Sequence, residues 1–163
     1  MKKEDFITRA IELSQESAQR GGKSIPFGAL IVREDRILVE AYNQVHWERD
    51  PTSHAEIVAI RGACRKLGTH KLSGCILYAS CEPCPMCYAA AYWASIEKIY
   101  YAMPGEKIKP FGYDDIGLYN DLAGSGEERQ LVSIAQIPDP RAFTIFKDWF
   151  DGHNQLNRQR VNQ

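Results

Sequence analysis

The sequence predicts an α/β protein, a sandwich built around a mixed sheet of about five strands. Strand and helix patterns alternate between Gly28 and Ala102, which is typical of α/β architectures. An amphipathic helical pattern precedes this region, and a second apolar helical stripe follows it. The chain has 163 residues, 44% of them hydrophobic, which suits one domain with a sizeable core.

The first half of the chain contains clear start and stop signals. Apolar residues at helical spacing predict a surface helix over residues 4–20, ended by Gly21-Gly22. Two apolar runs on either side of a polar turn predict a hairpin of residues 29–32 and 37–42. A polar loop then leads to Thr52 or Ser53, either of which can cap a helix that continues to Gly68.

The second half is predicted from shorter runs. Residues 104–125 are rich in Gly, Asp, Tyr and Lys and are interpreted as a functional loop with one short helix. The remaining predicted elements are strands over residues 75–80 and 98–102, helices over 85–95 and 140–150, and an edge strand over 131–137.

One motif carries the predicted chemistry: His54-Ala55-Glu56, followed by Pro83-Cys84-Pro85-Met86-Cys87. One imidazole and two thiolates are ligands that a catalytic zinc takes, with a fourth position left open. The two cysteines share a face at the N-terminus of a predicted helix, where the helix dipole favours thiolates. Residues two apart on a helix point in roughly opposite directions, so Glu56 is expected beside the metal and not on it.

The spacing H-x-E followed by P-C-x-x-C is the signature of the zinc deaminases. Over residues 5–120 the chain resembles the cytidine-deaminase superfamily, and within it the bacterial guanine deaminases, to which Gly112-Tyr113-Asp114-Asp115 points. The other segments that carry the resemblance are Pro26-Phe27-Gly28-Ala29, Asn43, Asp50-Pro51-Thr52, Ser80-Cys81-Glu82 and Tyr92-Trp93-Ala94.

The resemblance implies a three-layer α/β/α sandwich, Zn²⁺ as cofactor and a homodimer, in some members with exchanged C-terminal segments. It implies hydrolytic deamination of a free nucleobase, with guanine converted to xanthine and ammonia. Residues 1–150 would form one deaminase domain, and residues 151–163 a polar tail that contributes to the active-site cover or to a dimer contact. The implied roles are metal binding by His54, Cys84 and Cys87, proton transfer by Glu56, and substrate contacts by Asn43, Asp115, Asp114, Phe27 and Trp93.

The C-terminus departs from the family pattern. Guanine deaminases often end in an aromatic residue near a partner's active site, whereas the last aromatic residue of this chain is Phe150. Trp149-Phe150-Asp151 instead resembles the tail of fungal cytosine deaminase. Cytosine or another aminopurine or nucleoside therefore stays open as the substrate, and adenosine in tRNA is a further alternative.

Other metal sites are also compatible with the cysteines. Cys81, Cys84 and Cys87 begin a ferredoxin-type motif, but Ala91 stands where that motif requires its fourth cysteine. A structural zinc would need Cys81 as its fourth ligand and would leave Glu56 without a role. Metal analysis separates these sites from a catalytic zinc.

Net charge and the lack of targeting signals indicate which binding partners and which localisation to expect. The net charge is −1, so the molecule as a whole is not expected to be attracted to nucleic acid; a small substrate is favoured, and a local basic patch stays open as an alternative. The sequence shows neither the apolar core of a signal peptide nor a run of about 20 apolar residues. A cytoplasmic protein without a membrane partner is expected.

Overall fold

The computed structural model describes residues 2–20, 25–125, 128–132 and 134–161, with side chains described as far as Asp151. The described residues up to Ala123 form one compact unit, and those from Gly124 onward form a second. Within these residues, no helix is both long and apolar enough to cross a membrane.

The first unit is organised by a four-stranded mixed sheet. Its strands are β1 (Gly28–Arg33), β2 (Arg36–Tyr42), β3 (Cys75–Cys81) and β4 (Lys98–Met103), in the order β2-β1-β3-β4. β1 runs antiparallel to both of its neighbours, whereas β3 and β4 are parallel. The parallel pair requires a crossover, which a helix provides, as in other α/β folds.

Helices cover both faces of this sheet. In chain order they are α1 (Lys3–Gln19), α2 (Val45–Glu48), α3 (Ala55–Leu67), α4 (Pro85–Trp93) and α5 (Asp115–Ala123). Side chains alternate along β1: Leu30 and Val32 pack in the cluster of α1, and Ala29 and Ile31 pack in the cluster of α3. The predicted three-layer α/β/α sandwich is therefore confirmed.

The hairpin between β1 and β2 turns at Glu34 and Asp35, which have φ of 51° and 55°. Positive φ at two successive central residues matches the right-handed twist of paired strands, as in a type I′ turn. The predicted turn at residues 33–36 is therefore present, in a tight two-residue form.

Three predicted elements differ from the structure. The predicted fifth strand is absent, because the described part of residues 131–137 pairs with no strand. The polar loop before residue 50 contains α2, a single helical turn. The predicted loop at 104–125 contains two 3₁₀ turns, Gly105–Lys107 and Lys109–Phe111, in addition to α5.

The second unit contains α6 (Pro140–Val161), which begins at the predicted residue and extends past Phe150. The ring centroid of Phe146 lies 5.9 Å from that of Trp149 and 6.4 Å from that of Phe150. These three rings therefore lie on one face of the helix, as the predicted apolar stripe requires.

Gly28 marks the closest approach of α1 to the sheet. A Cβ atom there would lie 2.4 Å from the Ala10 carbonyl oxygen and 2.6 Å from the Ser14 nitrogen. We expect Gly28→Ala to lower the free energy of unfolding by about 3 kcal/mol, because backbone atoms cannot move aside cheaply. Equilibrium denaturation in urea measures the change.

Gly62→Ala is the matched control, since its added methyl group would meet only a side chain, that of Val39, at 2.9 Å. That contact can relax by rotation, and alanine favours the α3 helix by up to about 1 kcal/mol relative to glycine. Equal destabilisation by the two substitutions would contradict the role assigned to Gly28.

Candidate active site

The three predicted metal ligands meet at the N-termini of two helices. His54 is the N-cap residue of α3, and Cys84 is the N-cap residue of α4, with Cys87 in the first turn of α4. The Nδ1 atom of His54 lies 3.6 Å from the Sγ atom of Cys84 and 3.6 Å from that of Cys87. All three donor atoms lie within 4.8 Å of one another.

These distances fit zinc. With usual Zn–N and Zn–S bond lengths, tetrahedral geometry separates a nitrogen ligand from a sulfur ligand by about 3.6 Å. Among the described residues, the group of donors close enough to share an ion comprises His54, Cys84 and Cys87, and Cys81 is not part of it. One imidazole and two thiolates leave the fourth position open, as catalytic zinc sites do.

Local contacts favour the deprotonated form of Cys84, which is the form that binds a metal cation. Cys84 accepts a hydrogen bond from Cys87, and this bond, together with His54, lowers the pKa of Cys84 to about 4. Because Cys87 donates the proton in this hydrogen bond, the same contact raises the pKa of Cys87. The positive end of the α4 dipole also favours thiolate at this position. A bound cation would take the place of the proton that Cys84 and Cys87 share.

Glu56 lies beside the metal ligands in a buried position. It is only 7% exposed, and its Oε2 atom lies 3.6 Å from the Cys87 sulfur. Burial raises the pKa of the Glu56 carboxyl to about 7, because a charged form is costly away from water. A carboxyl group that gains and loses a proton near neutral pH suits general acid–base work.

The cap of α3 lies slightly later than predicted: His54 itself is the cap, not Thr52 or Ser53. The loop ahead of it is fixed by a polar network. The Asp50 carboxylate accepts hydrogen bonds from the backbone N–H and hydroxyl of Thr52, at 2.8 and 2.7 Å, and its pKa falls to about 2. Ser53 is fully buried and donates to Glu48. These contacts hold the backbone that presents His54.

A cavity of about 70 Å³ adjoins the metal ligands. Three predicted substrate residues line it: Asn43, Phe27 and Asp115. Asn43 is 2% exposed, and its Oδ1 atom accepts a hydrogen bond of 3.2 Å from the Val45 N–H. Since its oxygen is engaged, the amide N–H₂ group is the part of Asn43 that remains to donate.

Asp115 is the first residue of α5. Burial is the main reason that its pKa is raised, and the charge of Cys84 raises it further. A carboxyl group with a raised pKa beside the metal ligands is suited to hydrogen bonding and proton transfer.

The structure does not bring the other two predicted substrate residues into this cavity. Asp114 accepts a hydrogen bond of 2.9 Å from the Gly117 N–H and pairs with Lys109 at 3.3 Å. Both contacts lower its pKa, as expected for a carboxylate that caps a helix. Trp93 is the last residue of α4 and is 77% exposed. The family pattern alone did not reveal these orientations.

Five further lining residues were not identified from the sequence. They are Ile25, Cys81, Glu82, Ile108 and Tyr113. The signal for Tyr113 was the Gly112-Tyr113-Asp114-Asp115 segment, and its ring stands edge-on to Phe27 at 6.2 Å. The pattern of residues 104–111 does not predict that Ile108 lines the cavity, because tertiary contacts determine the position of the 3₁₀ turns beside it.

Comparisons with known proteins agree with this geometry. The family model described as the cytidine and deoxycytidylate deaminase zinc-binding region matches residues 1–103. The chain is 44% identical over 149 residues to guanine deaminase from Bacillus subtilis, covering 91% of this chain and 94% of that protein. The tRNA-specific adenosine deaminase of Aquifex aeolicus is 41% identical over 107 residues, covering 66% of this chain and 70% of that protein.

Solved structures give the same result. The crystal structure of guanine deaminase from Bacillus subtilis superposes with a TM-score of 0.86 and 40% identity, covering 93% of this chain and 95% of that chain. The architecture, the metal-ligand geometry and the matched family region thus agree. This chain belongs to the zinc-binding cytidine and deoxycytidylate deaminase family.

Proposed function

We propose that this chain is a zinc-dependent hydrolase that converts guanine and water to xanthine and ammonia. The observation that carries this proposal is the placement of Glu56 beside the group formed by His54, Cys84 and Cys87. Guanine is proposed because similarity to a guanine deaminase extends over 91% of the chain.

The metal ligands and Glu56 have different roles in the proposed reaction: the ligands bind the ion, and Glu56 transfers protons. His54, Cys84 and Cys87 would hold a zinc ion, which when bound would supply Lewis-acid activation of a water molecule at neutral pH. Glu56 accepts the proton released by the attacking water and delivers it to a ring nitrogen, which makes the amino-bearing carbon electrophilic. Glu56 then takes the remaining proton from the added hydroxyl group and delivers it to the amine, so that the C–N bond breaks, the carbonyl forms and ammonia leaves.

Asn43, Asp115 and Phe27 are proposed to recognise the base. The free N–H₂ group of Asn43 can donate to an oxygen or nitrogen of the ring edge, and Asp115 can accept from an amino group or share its proton. Phe27 offers an apolar wall. A site with paired polar groups rejects bases of another pattern, because those groups would remain buried without partners.

The role of Asp115 gives a testable prediction. We expect Asp115→Asn to lower kcat/KM for guanine by about 10²-fold, because the amide no longer carries a transferable proton. Steady-state assay of ammonia release measures the loss. Asp114→Asn is the matched control: asparagine keeps the helix cap, so activity should stay within about twofold. The opposite ranking would assign the substrate contact to Asp114.

Ammonia release from a panel of bases tests the reaction itself. Guanine, cytosine, adenine and their nucleosides would be supplied at equal concentration. We expect guanine to be turned over fastest. Preference for cytosine would support the alternative suggested by Trp149-Phe150-Asp151.

Adenosine in tRNA is the second candidate substrate, because several relatives are tRNA-specific adenosine deaminases. The net charge of −1 argues against it, since binding of a nucleic-acid backbone relies on basic groups. Turnover of free guanine that does not change with salt would favour the small substrate. Binding of tRNA that weakens steeply with salt would favour the nucleic acid.

A homodimer in the cytoplasm, acting in purine metabolism, completes the proposal. Exposed aromatic side chains on α4, those of Tyr88, Tyr92 and Trp93, support a second copy as partner, because large apolar groups are commonly covered in an assembly. Residues 1–150 are proposed as the deaminase domain and residues 151–163 as a tail that contributes to the active-site cover or dimer contact. Light scattering at several concentrations measures the oligomeric state.

A further inference from the structure

A single hydrogen bond ties α5 to the loop that carries a metal ligand. The hydroxyl group of Tyr119 donates to the backbone oxygen of Pro83 at 2.9 Å, and Pro83 directly precedes Cys84. Burial raises the pKa of Tyr119 to about 12, so its phenol keeps the donated proton at any ordinary pH.

Tyr119 and Asp115 share one face of this helix. They are four residues apart, which is about one helical turn, so both side chains project toward the same side. Asp115 lines the cavity beside Cys84, and Tyr119 reaches the residue before Cys84. A constraint on Tyr119 therefore also fixes the position of Asp115.

Packing alone holds α5 weakly. It has only nine residues, and none of them is more than partly buried. Two of its apolar side chains, Ile116 and Leu122, are 39% and 45% exposed. A short helix with so little buried surface is marginal by itself, so a specific anchor has a large influence on its position.

The residue before Pro83 makes a parallel contact. The Glu82 carboxylate accepts a hydrogen bond of 2.9 Å from the Gly105 N–H, at the start of the first 3₁₀ turn. The segment that begins there brings Ile108 to the cavity. Two successive residues ahead of Cys84 thus contact the two parts of the segment that supplies Ile108 and Asp115 to the cavity.

We propose that Tyr119 is a positioning residue: its hydrogen bond to Pro83 holds α5 so that Asp115 stays beside the metal ligands. The contribution of Asp115 to the reaction rests on the proposed function, whereas the anchoring of α5 does not. Tyr119 itself touches neither metal nor substrate in this arrangement, so its effect on the reaction passes through Asp115.

Tyr119→Phe tests the bond with little change in volume. We expect kcat/KM for guanine to fall about tenfold, the worth of one partly buried hydrogen bond, with most of the loss in KM. Zinc content should remain at one equivalent, because no ligand is removed. Tyr101→Phe is the control: this tyrosine on β4 is 45% exposed, and activity should not change. Wild-type kinetics for Tyr119→Phe would overturn the proposal.

A double-mutant cycle separates positioning from a general structural effect. If Tyr119 acts through Asp115, the Tyr119→Phe substitution should cause almost no further loss in an Asp115→Asn background. Losses that multiply in the double variant would overturn the proposal, because they would mean that the two residues act independently.

Hydrogen exchange provides a readout that needs no substrate. In Tyr119→Phe, amides of residues 115–123 should exchange at least about tenfold faster, while those of residues 55–67 keep their wild-type rates. Unchanged exchange in α5, or equal acceleration in both helices, would overturn the anchor. If the wild-type protein fails to deaminate guanine, the proposed function fails while this measurement still decides the anchor.

Discussion

Replacing Glu56 with glutamine is expected to abolish nearly all turnover, by about 10²- to 10⁴-fold in kcat, while zinc stays bound. Glutamine has the same shape but cannot accept and release the proton that the reaction moves. None of the three metal ligands is altered, so metal analysis should still find one equivalent of zinc. Ammonia release and elemental analysis on the same preparation measure the two quantities.

Although Glu56→Gln should lose activity, its stability should be equal to or higher than that of the wild type. Burial makes the charged form of Glu56 costly, as its raised pKa shows, and a neutral amide avoids that cost. We therefore expect Glu56→Gln to unfold at the same temperature as the wild type or higher. Glu106→Gln, at an exposed position, is the control and should leave kcat unchanged. Near-normal turnover in Glu56→Gln would remove the proposed proton carrier.

Loss of a metal ligand should have an equally large effect through a different cause. We expect Cys84→Ala to lose zinc during dialysis, and kcat/KM to fall by at least about 10³-fold, because two remaining ligands bind the ion too weakly. Zinc should also stop raising the unfolding temperature. In the wild-type protein a hundredfold excess over Kd adds about 2.7 kcal/mol to the free energy of unfolding.

Cys64→Ala is the matched control, since this cysteine is half-buried in α3 and lies outside the metal group. It should retain zinc and activity. A Cys84→Ala protein that still holds one tight zinc ion would place the metal elsewhere. Iron with inorganic sulfide in the wild type would revive the ferredoxin-type alternative for Cys81, Cys84 and Cys87.

The metal ligands could be located from the sequence because local rules govern them. Cys84 and Cys87 are separated by less than one helical turn, and Pro85 marks the start of their helix, so their shared face follows from spacing. The structure brings His54 to both of them, as the motif predicts. Its exact place as N-cap was missed by a residue or two, the usual uncertainty of helix boundaries.

Long-range contacts explain what the sequence did not reveal. Residues 131–137 have the apolar content of a strand, but a strand also requires a free edge to pair with, which no local pattern reports. Ile108 reaches the cavity because Glu82 holds the turn at Gly105, a contact across 23 positions of the chain. Trp93 lies at a helix end, where family resemblance alone could not reveal its exposure.

The cavity wall has two parts that come from different regions of the chain, and the two parts differ in how freely their residues can be substituted. The metal ligands and Glu56 lie at the N-termini of α3 and α4 among buried residues, where most substitutions would disturb the core. Ile108, Tyr113 and Asp115 come from a later, largely exposed segment that follows β4. Mutation and selection can therefore alter which molecules enter while the inherited reaction centre stays intact.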